Sequence, residues 1–440
     1  MASANGALPA GPERHALRQT LEYVWRPLPL LEEAHRRYGD MFTLRFHGMP
    51  RLVVLAHPDA IRDAYTASPD VARSGEGNQA LQAGLGRHSL IVLDGDEHLR
   101  ERRLMLPPFH GERMRVYGDL IAAIAERRIA GWERGRPFPV AATMRAIALE
   151  VIVRAVLGVD DPDRVRRAER SLTRFLETAT PPYRLLALLL VRPGGLAMRA
   201  WQRYAPTVRR VDAVIYDAIR ARRADPRLAE RDDILSLLLQ ARDDEGRPMP
   251  DEHLRDELVT MLAAGHETTA TALGWSLERL VREPAVLDRL VDEVRADGPD
   301  DYLDAVVKET LRVRTIVPFS IRQLAEPAEI GGRELPAGVR VAPCIHLVHR
   351  HPEVYPDASA FRPERFLERP AGTYTWIPFG GGIRRCLGAS FAVFEMKVVL
   401  RTLLRAGRPA APQDEPEPVG RRGITLVPAR GARVVWQPSA

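Results

Sequence analysis

The amino-acid sequence predicts a mainly α-helical fold with a smaller β portion, arranged as a single domain over residues 1–440. Helical periodicity runs through most of the first two-thirds of the chain and returns near the C-terminus. The β-like segments are short and widely separated, and neither an internal repeat nor a long linker divides the chain. Helical residues are expected at 59–311 and 387–406, and β-rich parts near 42–56, 316–343 and 423–436.

The local patterns support these elements in chain order. A short helix is predicted for "LPLLEEAHRRYG", and a β-hairpin for "MFTLRF" and "RLVVLA", which the turn signal "HGMP" separates. Pro, Gly and charged segments break the helical body that follows. The segment "IGGRELPAGVRVAP" is predicted to form a second hairpin, and "GITLVP" with "ARVVW" a third.

Composition excludes several classes of protein. Sixty-four basic residues balance 58 acidic ones, a formal net charge of +6, and the two signs are interleaved, which argues against a nucleic-acid-binding face. The longest apolar run, "LLALLLV" (185–191), stops at Arg192-Pro193 and is too short to cross a bilayer. The N-terminus lacks the basic start and apolar centre of a signal peptide. A cytoplasmic protein without a membrane anchor is therefore expected.

One of the two cysteines, Cys386, lies in the unusual stretch "FGGGIRRCLG". A dinucleotide fingerprint would need Gly where Arg385 stands, a phosphate-binding P-loop would need Gly-Lys-Ser/Thr, and zinc would need further Cys or His nearby. A good helix follows, so Cys386 should lie at or just before a helix N-terminus. There the helix dipole, Arg384 and Arg385 favour a thiolate, while the glycines allow a flat ligand to approach. This points to haem iron, with Arg384 neutralising a propionate. The alternative is a structural cysteine buried in a turn.

The same ten residues resemble the haem-binding motif of the cytochrome P450 family, F-x-x-G-x-R-x-C-x-G, at every specified position. The resemblance implies the cytochrome P450 fold, with a long central helix crossing the haem. It also implies haem b (iron protoporphyrin IX) as cofactor and Cys386 as the axial ligand of its iron. Phe379 and Gly380 would belong to the loop that holds the cofactor.

The segment "MLAAGHETTATALGWSLERLV" lies in a helix predicted from Asp251 to Arg282, about 48 Å long at 1.5 Å per residue. Its centre contains poor helix formers and a charged residue. A zinc-protease H-E-x-x-H pattern fails, because position 270 is Ala. The centre resembles the family's oxygen-binding pattern A/G-G-x-D/E-T-T. That resemblance implies that Ala264 and Gly265 leave room above the haem and that Glu267 and Thr268 relay protons to O2. The alternative is a strained but inert helix centre.

Two further groups of residues match family positions. Glu309 and Arg312 in "KETLR" would by themselves be a common surface ion pair. The family's E-x-x-R pattern makes them, with Arg365 of "FRPERF", a buried structural cluster. Haem-propionate ligands are implied at His98 and Arg102, one turn apart on a helix, and at Arg322, for which a solvated strand arginine is the alternative. The sequence departs from the family pattern at His351 and Ala358.

The resemblance implies a haem-thiolate monooxygenase that inserts one oxygen atom of O2 into a C–H bond. Electrons would come from ferredoxin and ferredoxin reductase, with the ferredoxin docking around Arg100, Arg103 and Arg385. Two alternatives are a P450-fold enzyme catalysing a different oxidation, such as epoxidation, ring coupling or decarboxylation, and a non-catalytic haem sensor. Peroxide-driven relatives commonly lack the acid–threonine pair.

The expected substrate is a hydrophobic small molecule, such as a terpenoid, fatty acid or polyketide. The segment "LLALLLV" is either a greasy access route or a plain core helix. By family analogy, the Gly-rich segment 73–90 and mostly apolar or small side chains would contact the substrate. These side chains are Val259, Leu262, Ala263, Val317, Phe319, Ile424 and Thr425.

Overall fold

The computed structural model describes residues 8–109, 113–179, 181, 196–412 and 415–438. The apolar run at 185–191, interpreted above as an access route or core helix, lies outside the described residues. Within these ranges no helix combines the length and apolar character needed to cross a membrane.

Helices make up most of the described chain, as the sequence predicts. The helix expected at Asp251–Arg282 has those bounds, and the helix after Cys386 begins at Ala389, two residues later than predicted. The helices are Ala16–Trp25, Pro27–Tyr38, Pro58–Thr66, Ser74–Gly77, Gln82–Leu85, Gly95–Met105, Arg113–Ile129, Ala141–Leu157, Pro162–Ala179, Leu196–Arg223, Ile234–Gln240, Asp251–Arg282, Pro284–Arg295, Asp301–Val313, Ile345–Val348, Arg365–Glu368 and Ala389–Ala406.

The strands are short and form four small sheets within the described ranges. They are β1 Met41–Leu44, β2 Leu52–Leu55, β3 Ala72–Arg73, β4 Pro137–Pro139, β5 Arg322–Leu324, β6 Ala328–Ile330, β7 Arg333–Leu335, β8 Arg340–Pro343, β9 Gly407–Ala410, β10 Val419–Arg422, β11 Thr425–Pro428 and β12 Arg433–Pro438. The largest sheet has the order β1-β2-β8-β5-β3, in which β2 and β8 run parallel and the other neighbours antiparallel. The others are β4-β12-β9, β6-β7 and β10-β11.

The first predicted hairpin is present, but the other two pair differently. Strands β1 and β2 pair with Met41 opposite Leu55. In the second region β7 pairs with β6 across Gly331-Gly332, while β8 joins the large sheet. In the third, β11 pairs with β10, and β12 instead pairs with β4 and β9. The predicted partners were wrong because sequence alternation marks a strand without specifying its neighbour.

The helix Asp251–Arg282, hereafter the central helix, is held in the core along most of its length. It begins after Pro250 with Asp251 and Glu252 in its first turn, where negative charge opposes the helix dipole favourably. It ends before Pro284, which starts the next helix. Its long neighbour is the helix Ala141–Leu157, which is apolar nearly all round and correspondingly buried. A helix surrounded in this way is a fixed platform for the side chains at its centre.

Candidate active site

The Cys386 thiol lies at the end of a tight loop that leads into the last long helix. Its backbone N–H donates to the Phe379 carbonyl at 2.9 Å, and the helix begins three residues later at Ala389. Solvent reaches the residue on one side, while protein encloses the sulfur on the others. This burial raises the pKa of the Cys386 thiol, against the opposing effects of the Gly388 N–H and the charges of Arg102 and Arg385. The backbone N–H and the arginine charges therefore act in the predicted direction, but desolvation is the larger effect.

Two glycines of the loop are needed for reasons that the sequence did not indicate. Gly380 has a φ of 68°, a left-handed conformation that a side chain disfavours. A Cβ on Gly381 would lie 2.3 Å from Cδ2 of Tyr65, so the close approach at this position is to an aromatic ring of the protein itself. The loop is thus packed on Tyr65 from behind, which fixes the direction in which Cys386 faces.

Four basic side chains expected near the propionates converge beside this loop. His98 and Arg102 lie one turn apart on the helix Gly95–Met105, Arg322 begins β5, and Arg384 precedes the cysteine. Burial, together with the charges of Arg384, Arg102 and Arg322, lowers the pKa of His98 to about 3. His98 is 1% exposed, and its Nδ1 has no hydrogen-bond partner among the described residues. The mutual influence of these groups shows that they share one site.

Only part of this positive charge is neutralised within the cluster. Arg384 donates to Asp94 at 2.5 Å and to the Leu90 carbonyl at 2.9 Å. Burial lowers the pKa of Arg384 to about 10, with Asp94 opposing it. Arg322 is 4% exposed and donates to Ser74 Oγ at 3.0 Å and the Gly381 carbonyl at 3.1 Å, both neutral acceptors. Arg322 is therefore a buried cation, and the alternative of a solvated strand arginine is wrong.

These features fit a haem. Buried guanidinium groups without matching carboxylates are costly unless an anion joins them, and the haem propionates are such anions. Burial raises the pKa of the Cys386 thiol, and an iron ion bound at the sulfur would favour its thiolate form. The unpartnered His98 Nδ1 is a further polar atom available to a ligand.

The central helix presents small side chains on one accessible stretch. Ala264 is exposed although the residues around it on this helix are largely buried. The Thr268 hydroxyl, one turn further on, donates to the Ala264 carbonyl at 2.6 Å. The Gly265 position faces the neighbouring helix instead, because a Cβ there would lie 3.0 Å from Cδ1 of Ile152. The small size of Gly265 therefore allows close helix packing, and the accessible Ala264 remains the candidate for the space predicted above the haem.

Glu267 lies beside Thr268 in sequence but faces a different set of groups. Its carboxylate is 7% exposed, and Arg422 Nε lies 3.2 Å from Oε2, outside hydrogen-bonding alignment. Both carboxylate oxygens are thus without hydrogen-bond partners among the described residues. Burial raises the pKa of Glu267, and the charges of Arg422 and Arg145 oppose that rise. A buried carboxyl with a raised pKa and few fixed bonds is suited to carrying a proton.

Arg145 and Arg422 also line two neighbouring cavities of about 410 and 290 Å³. Neither cavity has Ala264, Thr268 or Cys386 in its lining. Both cavities are lined by the charged neighbours of Glu267 and not by the residues near Cys386, and we therefore do not assign them to substrate.

The residues expected to contact substrate divide into two groups. Ala263, Val317 and Ile424 are at least partly accessible, and Ile424 is 51% exposed. Val259 and Leu262 are completely buried in the main core, because the helical turn directs them away from the accessible stretch. Phe319 stacks on Tyr23 at 5.5 Å, and Thr425 is 3% exposed with its hydroxyl donating to the Arg422 carbonyl. These four side chains pack within the protein, and their contact with substrate stays a prediction. The side chains concerned are Val259, Leu262, Phe319 and Thr425.

The Glu309, Arg312 and Arg365 side chains meet in the interior. Arg312 makes a bidentate pair with Glu309, with two N–O distances of 2.7 Å and no exposure of either side chain. Arg365 Nε donates to the same carboxylate at 3.1 Å. Arg312 also donates to the carbonyls of His349, Ala358 and Ala360. This is a structural cluster, and the alternative of a surface ion pair is wrong. Ala358, one of the two departures from the family pattern, contributes only its carbonyl.

Several residues of the site were missed by the sequence analysis. Asp94, which pairs with Arg384, and Tyr65, which supports the cysteine loop, carry no motif of their own. Arg145 and Arg422, the neighbours of Glu267, come from distant segments. No local spacing signals such partners; a charged residue in an apolar helix signals only that some partner exists.

Comparison with known proteins gives a consistent result. The model of the family described as cytochrome P450 matches residues 9–435. The chain is 43% identical to cytochrome P450 135B1 of Mycobacterium bovis over 432 residues, covering 97% of this chain and 91% of that protein. It is 40% identical to cytochrome P450 137 of Mycobacterium tuberculosis over 404 residues, or 92% of this chain and 84% of that one.

Solved structures agree at the level of the fold. Retinoic acid-bound cyanobacterial CYP120A1 superposes with a TM-score of 0.84 at 22% identity, covering 98% of this chain and all of that one. The haem domain of cytochrome P450DA gives a TM-score of 0.83 at 23% identity, with 98% of both chains covered.

Proposed function

This chain belongs to the cytochrome P450 family, and we propose that it is a haem-thiolate monooxygenase acting on a C–H bond of a hydrophobic small molecule. In that reaction substrate RH, O2, two electrons and two protons yield ROH and water. The observation that carries the proposal is the convergence of the Cys386 thiol with four basic side chains, of which only Arg384 pairs with a carboxylate among the described residues.

Cys386 would ligate the iron of haem b, and His98, Arg102, Arg322 and Arg384 would bind its propionates. When bound, the haem supplies the activation of O2, which ligation by a thiolate favours. The basic side chains neutralise the propionates and set the orientation of the cofactor. The loop behind Cys386 holds the sulfur in place.

Glu267 and Thr268 would supply the protons of the reaction. The Glu267 carboxyl holds a proton at Oε1 or Oε2 more readily than an ordinary glutamate because of its burial. The Thr268 hydroxyl, bonded to the Ala264 carbonyl, can pass a proton on by rotation. Arg145 and Arg422 lie between the carboxyl and cavities from which water can return a proton to it. A non-catalytic haem sensor would not require this arrangement.

The proposed substrate is apolar, of the size of a terpenoid, fatty acid or polyketide. Its support is the small or apolar character of the accessible residues Ala263, Ala264, Val317 and Ile424. A titration of the purified enzyme with these three compound classes, followed by the iron spin-state absorption change, tests this. The absence of a response to all three would contradict the proposed class.

The thiolate ligand is tested by replacing Cys386 with Ser. We expect the reduced carbon monoxide adduct of the wild type to show the red-shifted absorption band of a thiolate-ligated haem. The variant should lack this band, and its activity should be at least about 100-fold lower. Cys344→Ser is the matched control, because Cys344 is the other thiol and is completely buried elsewhere. A red-shifted band that persists in Cys386→Ser would reject the assignment.

We propose that an acidic ferredoxin, reduced by ferredoxin reductase, docks beside Cys386. Arg385 is exposed and Arg100 half-buried, while Arg103 already pairs with Asp244 at 2.7 Å. Arg100→Glu with Arg385→Glu should lower the ferredoxin-dependent reduction rate at least about tenfold at low salt. The exposed Arg333→Glu serves as control; an equal loss in both, or no loss, would contradict the docking site.

We also propose a cytoplasmic location. Both cysteines of the chain, Cys344 and Cys386, are free, which suits a reducing compartment. An enzyme recovered from a secreted or periplasmic fraction of its native cells would contradict this placement.

A further inference from the structure

Two histidines and an aspartate meet outside the proposed haem site. His35 belongs to the helix Pro27–Tyr38, Asp40 follows that helix, and His351 follows the short helix Ile345–Val348. Oδ1 of Asp40 lies 2.7 Å from Nε2 of His35 and 3.3 Å from Nε2 of His351. One ligand atom from each residue lies within 4.8 Å of the other two. The two imidazoles therefore share a single carboxylate oxygen.

The backbone around Asp40 fixes this geometry. Gly39 has a left-handed φ of 81°, which turns the chain sharply at the helix end, and its N–H donates to the His35 carbonyl at 2.8 Å. The Asp40 carbonyl accepts from the Ala56 N–H at 2.8 Å, which ties the turn to the end of β2. The carboxylate is thereby returned to the face of the helix that carries His35.

The third residue is held from the other side. His351 is 4% exposed, its N–H donates to the Val348 carbonyl and its carbonyl accepts from Tyr355 N–H. Its Nδ1 is buried without a hydrogen-bond partner among the described residues. One nitrogen of the imidazole is thus enclosed by protein, and the other faces the shared Asp40 carboxylate.

This donor set is typical of zinc. Imidazole nitrogen and carboxylate oxygen bind Zn²⁺ at about 2.0–2.2 Å, so two ligand atoms of a tetrahedral site lie about 3.3–3.5 Å apart. The His351–Asp40 distance of 3.3 Å already has that value. The His35–Asp40 distance is 2.7 Å, and a small rotation of the half-exposed His35 side chain would lengthen it to that value.

We propose that His35, Asp40 and His351 bind one divalent transition-metal ion, Zn²⁺ fitting the donors best. Three protein ligands leave a fourth position for water on the side where 41% of the Asp40 side chain is exposed. His57, whose ring lies 5.5 Å from that of His351, and Glu353, 3.8 Å from His57, form the surrounding polar layer.

The ion would join the helix Pro27–Tyr38 to a loop that supports the interior charge cluster. His349 lies two residues before His351 in this loop; its carbonyl accepts from Arg312 at 2.8 Å, and its Nε2 accepts from Ile377 N–H at 2.9 Å. Because a bound ion stabilises the folded state that forms its site, zinc should raise the stability of this junction without touching the haem side.

The test uses the tag-free, haem-loaded enzyme, in which Cys386 is occupied and iron is measured separately from zinc. After equilibration with zinc and removal of the excess, we expect one zinc per chain in the wild type and in His47→Gln, which removes an exposed histidine elsewhere. Asp40→Asn and His35→Gln, both at partly exposed positions, should bind zinc at least about 100-fold more weakly, since loss of a direct ligand exceeds the effect of an outer-layer change.

Thermal unfolding provides a second measurement. Zinc should raise the melting midpoint of the wild type and of His47→Gln, and leave those of Asp40→Asn and His35→Gln unchanged. Absence of zinc from the wild type, equal zinc in all four proteins, or loss of zinc in His47→Gln would each overturn the proposal. Because carbon monoxide binding to the haem is independent of this site, the outcome is distinguishable from a failure of the proposed function.

Discussion

Replacing Glu309 with Gln is expected to lower the free energy of unfolding by about 3–5 kcal/mol. The substitution preserves shape but removes the carboxylate that, among the described residues, pairs with Arg312, whose side chain is completely buried. An unpaired guanidinium in the interior must bear its desolvation cost without an opposing charge, and Arg365 loses the same partner. The carbonyls that Arg312 also contacts are dipoles and offset only part of that loss.

The same helix offers a matched control. Asp304 pairs with Lys308 at 2.5 Å one turn away, but about 30% of each side chain is exposed. Asp304→Asn should therefore cost about 0–1 kcal/mol. Denaturant unfolding of the haem-loaded proteins, followed by far-ultraviolet circular dichroism, measures both. Midpoints lowered equally in the two variants would show that the buried cluster contributes no more than a surface ion pair.

Local sequence patterns predicted the helical part of the fold well. The central helix has the predicted bounds because Pro250 and Pro284 terminate it from either side. The helix after the cysteine loop ends at Ala406 before Gly407, whose φ of 172° is extended because a strand begins there. Such boundaries depend on residues that adjoin the helix, so the sequence alone contains the signal.

The pairing of strands and the direction in which helix residues face were predicted less well than the helices, for a physical reason. Strand β8 pairs in parallel with β2, which lies far earlier in the chain, and no alternation pattern specifies that partner. Along the central helix, Val259 and Leu262 are apolar like Ala263, yet they face the core. Which face of a buried helix opens onto a ligand depends on the neighbouring helices, as the contact between Gly265 and Ile152 illustrates.

The active-site residues show the same division. Motifs of the family predict Cys386, Arg384, His98 and Arg102 as residues of the haem site, and the structure brings these side chains together. The balance of forces at the thiol could not be predicted, because burial and charge act on it in opposite directions and only the structure gives their relative sizes. The charged neighbour of Glu267 could not be predicted from the sequence either, since Arg422 belongs to a distant segment of the chain.

The second large effect is expected for the proton supply through Glu267, whose charged neighbour is Arg422. Glu267→Gln is expected to lower the rate of product formation by about 10²–10⁴-fold, the usual contribution of a positioned proton donor. Glutamine retains the shape of the side chain but carries no exchangeable carboxyl proton. If the acid form of Glu267 is the donor, the wild-type rate falls as pH rises through the raised pKa of this carboxyl, and the Gln variant loses that pH dependence.

Arg422→Gln separates this role from a structural one. Removing the nearest positive charge leaves the buried carboxylate with less stabilisation, so the pKa of Glu267 rises further and the fall in rate shifts to higher pH. Arg421→Gln removes the same charge from the neighbouring residue, which contacts the Tyr23 ring and carbonyl instead, and should leave the pH profile in place. Rates measured from pH 5.5 to 9 with saturating reductant, together with product formed per reductant consumed, distinguish the three variants. A Glu267→Gln enzyme with wild-type rate and coupling, or an Arg422→Gln profile shifted to lower pH, would contradict the proton-carrier role, because a carboxyl that loses a positive neighbour cannot become more acidic.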